Sequence, residues 1–260
     1  MTAEKEVVHV VVVPPVPLDE ELVGKIAHII GKNPYETRLR LTSKIPKIIA
    51  NYDTVQLAER SANGLRELGV LATAVYNAEL HKPPQIFKAR HLKFEEQAVM
   101  FYNRAGEVKT VRTEEVFLIL SARFQAYTEV ETTQTKRKIN VTATLLTGGI
   151  PITKKVEEKV KSQTFESESF SRLYKWTTPD AAIQLSQSNF DYSFLGSEMA
   201  SSAIANYGLT INKIRAAFPQ AIFDDRLTAP FGSNMPATVA RDAVEVNCRL
   251  IYWQHRTQKS

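Results

Sequence analysis

The sequence predicts an α+β protein: a small α/β sandwich over residues 1–80, then a β-rich domain over 86–256. The second domain is expected to be a mainly antiparallel sheet or partial barrel with one long amphipathic helix over 197–218. Three observations carry this reading. Runs of β-branched residues alternate with capped, amphipathic helices through the first eighty positions. The segment "HKPPQ" at 81–85 then fixes an extended link, because its two prolines disfavour helix before them. Beyond it the texture changes to short apolar or alternating runs punctuated by turn residues. A chain of 260 residues exceeds the roughly 100–200 of a typical domain, which fits two units.

Residues 7–13, "VVHVVVV", are β-branched almost throughout and read as a central strand covered on both faces. His9 lies inside it without an acidic or nucleophilic neighbour in sequence, so it reads as structural. A helix follows over about 19–30. Leu22, Val23, Ile26, Ile29 and Ile30 give it a wide apolar face, and Gly31 supplies a left-handed exit. In "NPYETRLRL" Asn33 caps a second helix, Pro34 takes the first position without wasting an amide, and Glu36 completes a capping box. "KIPKIIANY" reads as a short edge strand, since Pro46 cannot donate to a ladder. Asp53 and Gln56 repeat the cap spacing ahead of a helix that buries Leu57, Ala58, Ser61, Leu65 and Leu68 and stops at Gly69. "VLATAVY" closes the unit as a strand.

The run "NPYETRLRLTSKIPKIIANYDTVQLAERSANGLRELGVLATAVY", residues 33–76, resembles the C-terminal domain of the bacterial ribosomal stalk protein. In that family a short helix, a strand containing proline, a capped helix rich in leucine and alanine, and a last strand follow in this order. The family's domain recruits translation factors through lysines and glycines on its helices. Here the first helix and its exit carry only Lys25 and Lys32, and the short helix carries Arg38 and Arg40, so that surface is not reproduced. The resemblance implies a shared fold and a protein-docking role, not ribosomal membership.

In the second domain "IFKARHLKF", "AVMFY", "EVKTV" and "EVFLILSARF" read as strands, with "NRAGE" as a turn between two of them. "AAIQLS" and "FDYSFL" follow as further strands. Phe190, Tyr192 and Phe194 then share one face, which can stack single-stranded bases or fill a core. Because no lysine or arginine lies between Asp180 and Lys213, the core reading is preferred. "GSEMASSAIANYGLTINKIRAAFP" is the clearest helix, capped by Ser197 and ended by Pro219. Ala200, Ile204, Tyr207, Ile211, Ile214 and Phe218 recur along it at helical spacing. The tail "AVEVNCRLIYW" alternates, with Val244, Val246, Cys248, Leu250 and Tyr252 on one face. It reads as a half-buried strand in which Cys248 is an inert packing residue. Strands closed by one long helix resemble the pleckstrin-homology superfold in outline, a likeness that specifies no function.

Composition narrows the classes. Hydrophobic residues at 43% can build proper cores, and 23% charged residues fit an ordinary surface. No apolar run approaches the roughly 20 residues needed to span a bilayer, so no integral membrane association is expected. A single cysteine allows no internal disulfide and suits a reducing cytoplasm. The net charge of +5 is uneven: residues 81–140 hold 11 bases against 7 acids. A local, moderate excess is weak support for nucleic acid.

The most suggestive stretch is "TKRKINVTATLLTGGIPITKK", residues 135–155. Lys136, Arg137, Lys138, Lys154 and Lys155 form a basic binding patch on what reads as a solvated hairpin turning at Gly148 and Gly149. It lacks the GxxxxGK spacing and helix start of a phosphate loop. Catalytic and metal signals are weaker still. His9, His28, His81, His91 and His255 are scattered without a metal-binding pair, and no GxSxG elbow surrounds any serine. No cofactor or metal is therefore expected. Asp224 and Asp225 are the remaining seed of a hydrolase or metal enzyme, a reading that requires a histidine beside one of them. The loop "TAPFGSNMPATVA" at 228–240 displays Phe231 and Met235, and the tail loses its polar face at Ile251 and Trp253. These four make a candidate protein interface, for a partner protein or a second copy. The leading expectation is a non-enzymatic interaction, assembly or regulatory protein. The alternatives are RNA or ribosome association through residues 136–161, and an enzyme around Asp224 and Asp225.

Overall fold

Five consecutive buried residues, Val8–Val12, form strand β1 at the centre of a three-stranded antiparallel sheet ordered β2-β1-β3. The computed structural model describes residues 6–139, 153–178, 180–228 and 241–258, with side chains outside 125–166 and 241. Alternation along β1 sends Val8, Val10 and Val12 to one face and Val11 to the other. On the first face lie α1 (Glu20–Ile30), α2 (Pro34–Leu41) and α3 (Val55–Glu67), which contribute Ile26, Ile30, Leu41, Ala58, Ala62 and Leu65. Edge strands β2 (Lys47–Tyr52) and β3 (Ala72–Tyr76) complete the sheet. Asp19, Asn33 and Thr54 cap the three helices through their side chains, and Gly31 takes the left-handed exit at φ 64°. The third cap is Thr54, not Asp53: its hydroxyl accepts from Leu57 N at 3.4 Å. His9 is held between Asn51 and Asn77, its ring nitrogens 2.8 and 2.9 Å from their side-chain oxygens.

The chain divides into two compact units, one of Met1–Phe124 with Glu168–Ser260 and one of Gln125–Ser167. The proline link at 81–85 thus lies inside the first unit, just after a short helix α4 (Asn77–His81). A three-stranded antiparallel meander follows: β5 (His91–Phe94), β6 (Ala98–Tyr102) and β7 (Val108–Arg112). The remaining strands are β4 (Phe87–Ala89), β8 (Val116–Ile139), β9 (Thr153–Lys175), β10 (Ile183–Ser186) and β11 (Ile222–Leu227). They form an open sheet ordered β11-β8-β9-β10-β4. β11 runs parallel to β8 and β10 parallel to β4, whereas β10 is antiparallel to β9. The fold class is α+β, with open, mixed sheets in place of a partial barrel.

Two expected strands are not strands. "FDYSFL", residues 190–195, follows a 3₁₀ turn at Gln187–Asn189 and runs into another at Ser193–Glu198, with Gly196 at φ 54°. Asp191 accepts from Ser193 N at 2.9 Å, a local bond that competes with any ladder. The aromatic triplet nonetheless packs inward: Phe190 is buried, and the rings of Tyr192 and Phe194 lie 5.6 and 6.3 Å from it. The following helix, α5 (Ala203–Ala217), starts later than Ser197 and is capped by Ser202.

The tail is an eighteen-residue helix, α6 (Arg241–Gln258). It lies between two cores, so its apolar residues occupy two stripes. Val244, Cys248, Ile251 and Tyr252 join Phe117, Leu118 and Leu120, while Leu250 and Val246 meet Val11, Val75 and Leu80. Two stripes superposed on one helix imitate the period-two alternation of a strand.

Candidate functional site

β8 and β9 hold 24 and 23 residues, against about 5–6 for an ordinary strand. Their unit-one ends are firmly rooted. Every residue from Val116 to Ala122 is buried, as is each from Phe170 to Tyr174. Ser121 Oγ lies 2.7 Å from Ser171 Oγ, which lies 2.7 Å from the Tyr207 hydroxyl on α5. Burial raises the Tyr207 phenol well above its usual range, so this chain of hydroxyls stays neutral. Arg172 donates two bonds to Glu245 on α6, at 2.7 and 2.5 Å, and a third to Gln184 at 2.9 Å. Burial works against the guanidinium charge, but hydrogen bonding to the Glu245 carboxylate and its negative charge hold the pKa above the usual value. Lys175 donates to Glu115 at 2.8 Å, closing the outer end of this root.

Past the root, β8 and β9 remain hydrogen-bonded neighbours. β11 pairs with β8 through Leu118 to Ala122, and β10 with β9 through Phe170 to Leu173. Among the described residues no further strand pairs with either beyond those limits. Residues 125–139 and 153–167 thus form a two-stranded ribbon in which, among the described residues, neither outer edge is paired. Lys136, Arg137 and Lys138 fall next to the end of β8 at Ile139, and Lys154 and Lys155 next to the start of β9 at Thr153. The strands are hydrogen-bonded neighbours, so all five bases belong to the end of the ribbon where 140–152 connect them. Gly148 and Gly149 lie outside the described residues, as do Phe231 and Met235.

The other candidates are used within the first unit. Ile251 is fully buried, and Trp253 is half-buried against the same core, with its ring 5.7 Å from Tyr252. Burial pushes the Cys248 thiol up to about 12, which keeps it protonated and inert. Asp224 does meet a histidine: His255 Nε2 lies 2.8 Å from its Oδ2. An ionised carboxylate only accepts, so Nε2 carries the proton. Arg226 takes the rest of the carboxylate, donating from Nη2 at 2.6 Å and from Nε at 3.1 Å to each oxygen, with its backbone amide at 3.1 Å. Arg226 also donates to Lys44 O and to Gln254, tying β11 to α6 and to the chain before β2. Asp225 is exposed and is not part of this cluster. An apolar groove lies close by, lined by Val12, Pro46, Leu71, Leu250, Trp253 and Gln254 among others, but neither Asp224 nor His255 opens into it. Among the described residues no group of three His, Cys, Asp or Glu side chains is placed to hold a metal, and no helix is long and apolar enough to cross a membrane.

No protein-family model, curated protein or solved structure matches this chain. One signal in the ribbon is easily overlooked. A reading that starts at Thr135 captures only its basic end, whereas "EVETTQTKRK" from Glu129 to Lys138 shows acids leading and bases trailing.

Proposed function

We propose that this chain is a non-enzymatic interaction or assembly protein of the cytoplasm whose binding element is the β8–β9 ribbon. The observation that carries the reading is the ribbon itself. A two-stranded hairpin is marginal in water, and an open strand edge is a template for pairing with another chain. A fold that roots such a ribbon on a part-buried Arg172–Glu245 pair and a Ser121–Ser171–Tyr207 chain holds a docking element ready. The likeness of residues 33–76, which run α2-β2-α3-β3, to the stalk-protein domain supports the same docking role.

The test replaces residues 125–167 by an Asn-Gly turn, which can join two adjacent strands. The full chain is expected in species heavier than 29.3 kDa by light scattering. The shortened chain is expected to be monomeric with its thermal transition preserved. Undiminished assembly by the shortened chain sinks the reading. A second reading, RNA binding, is favoured by one observation: five bases converge on one ribbon end. If all five neutralise phosphates, log affinity falls with log salt at a slope of about −3.5 for a single strand. A salt-independent or absent affinity removes it.

A further inference from the structure

We propose that the ribbon's partner is a second copy of this chain, joined edge to edge along β9 in antiparallel register centred on Val156. This rests on the reading of the ribbon as the binding element. β8 occupies one edge of β9, and on the other the pairing with β10 ends at Phe170. Among the described residues no strand takes that second edge over residues 153–169, which hold no proline or glycine to interrupt it. Joining two such ribbons makes one four-stranded sheet, whereas two strands alone are marginal in water.

Charge order identifies the occupant. Residues alternate between the two faces of a strand, so a twofold joining the same edge of two copies must set one residue opposite its own counterpart. In "TKKVEEK", residues 153–159, the two bases before Val156 mirror the two acids after it. Centred on Val156, the twofold sets Lys154 at the register position of Glu158 and Lys155 at that of Glu157, then repeats both pairs. Each pair keeps to one face, positions 154, 156 and 158 on one and 155 and 157 on the other. Val156 meets Val156 at the axis, and Thr153 meets Lys159. Cross-strand pairs of opposite charge stabilise a sheet, and like pairs oppose it. Moving the centre by one residue sets Lys155 against Lys155 or Glu157 against Glu157, so this register is favoured over its neighbours. Lysines on an edge ordinarily keep other strands away. Here Lys154 and Lys155 each find a glutamate, and a copy of the same strand supplies it. β8 offers no such match: Glu129 and Glu131 take odd positions and Lys136 and Lys138 even ones, so a twofold along it cannot pair them.

The test is charge reversal read by light scattering and sedimentation, with cross-linking at the axis. Wild type is expected at twice 29.3 kDa. Lys154→Glu with Lys155→Glu, or Glu157→Lys with Glu158→Lys, sets like charges opposite one another and raises the dimer dissociation constant at least about tenfold. Mixing the two variants restores a dimer containing one of each, and so does combining all four substitutions in one chain. A purely structural role for these residues would not show that rescue. Val156→Cys is expected to oxidise to a covalent dimer, because directly opposed Cα atoms lie about 4.5–5.5 Å apart, within disulfide reach. Val160→Cys, beyond the paired span, should not. Wild type that stays monomeric at high concentration overturns the inference. If it nevertheless captures another protein through the ribbon, the proposed function survives alone. A dimer that persists in the Asn-Gly chain overturns both. A dimer lost in the charge variants but not restored by mixing, or one that Val156→Cys does not cross-link, overturns the register centred on Val156.

Discussion

Asp224 is buried, and burial by itself would raise its pKa; hydrogen bonds from His255 and Arg226 overcome that penalty and hold the carboxyl well below the usual range. The sign of the linkage follows. A carboxylate whose pKa is depressed by folding adds stability above its unfolded value, about 3.9. That stability is lost as pH falls through about 4 toward the folded value. Asp224→Asn is therefore expected to cost about 2 kcal/mol at neutral pH, measured by urea denaturation, because its partners lose a charged acceptor. Below about pH 4 the gap between variant and wild type should narrow. A gap that stays constant down to pH 2.5 or so would mean the carboxylate is not linked to folding in this way. The same cluster explains why an acid beside a histidine is not enough for chemistry. Every oxygen of Asp224 is engaged by Arg226 or His255, and Arg226 reaches on to Lys44 and Gln254.

Elements were legible where their signals are local. The cap at Asn33 and the exit at Gly31 are decided within a few residues, and the structure places both, although Asn33 accepts from Tyr35 N and not within the capping box expected with Glu36. β1 was legible because a strand covered on both faces has no polar side to show. α6 was not, since two cores impose two apolar stripes on it. Arg172 with Glu245, and Asp224 with His255, are joined only by the fold, across 73 and 31 positions of sequence. The root of the ribbon could therefore not be read in advance, although its charge order could. The helix reading of the tail makes a prediction that a strand would not. Leu250→Ala and Ile251→Ala remove side chains from different stripes, and each is expected to cost about 2–5 kcal/mol in urea denaturation. On a half-buried strand these neighbours would point to opposite faces, and Ile251→Ala would be nearly neutral. A neutral Ile251→Ala would argue against the helix.

At the scale of the whole molecule, the question is whether residues 1–80 are a domain in the energetic sense. The cluster of Val10, Ile26, Ile49, Ala62 and Leu65 is contained within them, so their helix-covered face needs nothing further. The opposite face is different. Val11, Val75 and Leu80 are covered by Leu250 of α6, and Ile45 joins the core built by Phe117, Tyr174 and Tyr252. Arg249 adds hydrogen bonds to the carbonyls of Glu79 and Lys82, satisfying acceptors at the end of α4 with a cation. Cutting the chain after Lys82 uncovers four aliphatic side chains, each worth about 1.5–3 kcal/mol when fully buried. A loss of that size rivals the whole stability of a small domain, about 5–15 kcal/mol. A fragment of residues 1–82 should therefore protect its β1 amides from hydrogen exchange far less than the full chain does. In the full chain those amides should exchange at the same free energy as the amides of Leu118 and Leu120 in β8, because both are held by α6. Arg249→Ala should lower the β1 and β8 values by a similar amount, as one cooperative unit requires. Equal β1 protection in fragment and full chain would show instead that the proline link separates two independent folding units.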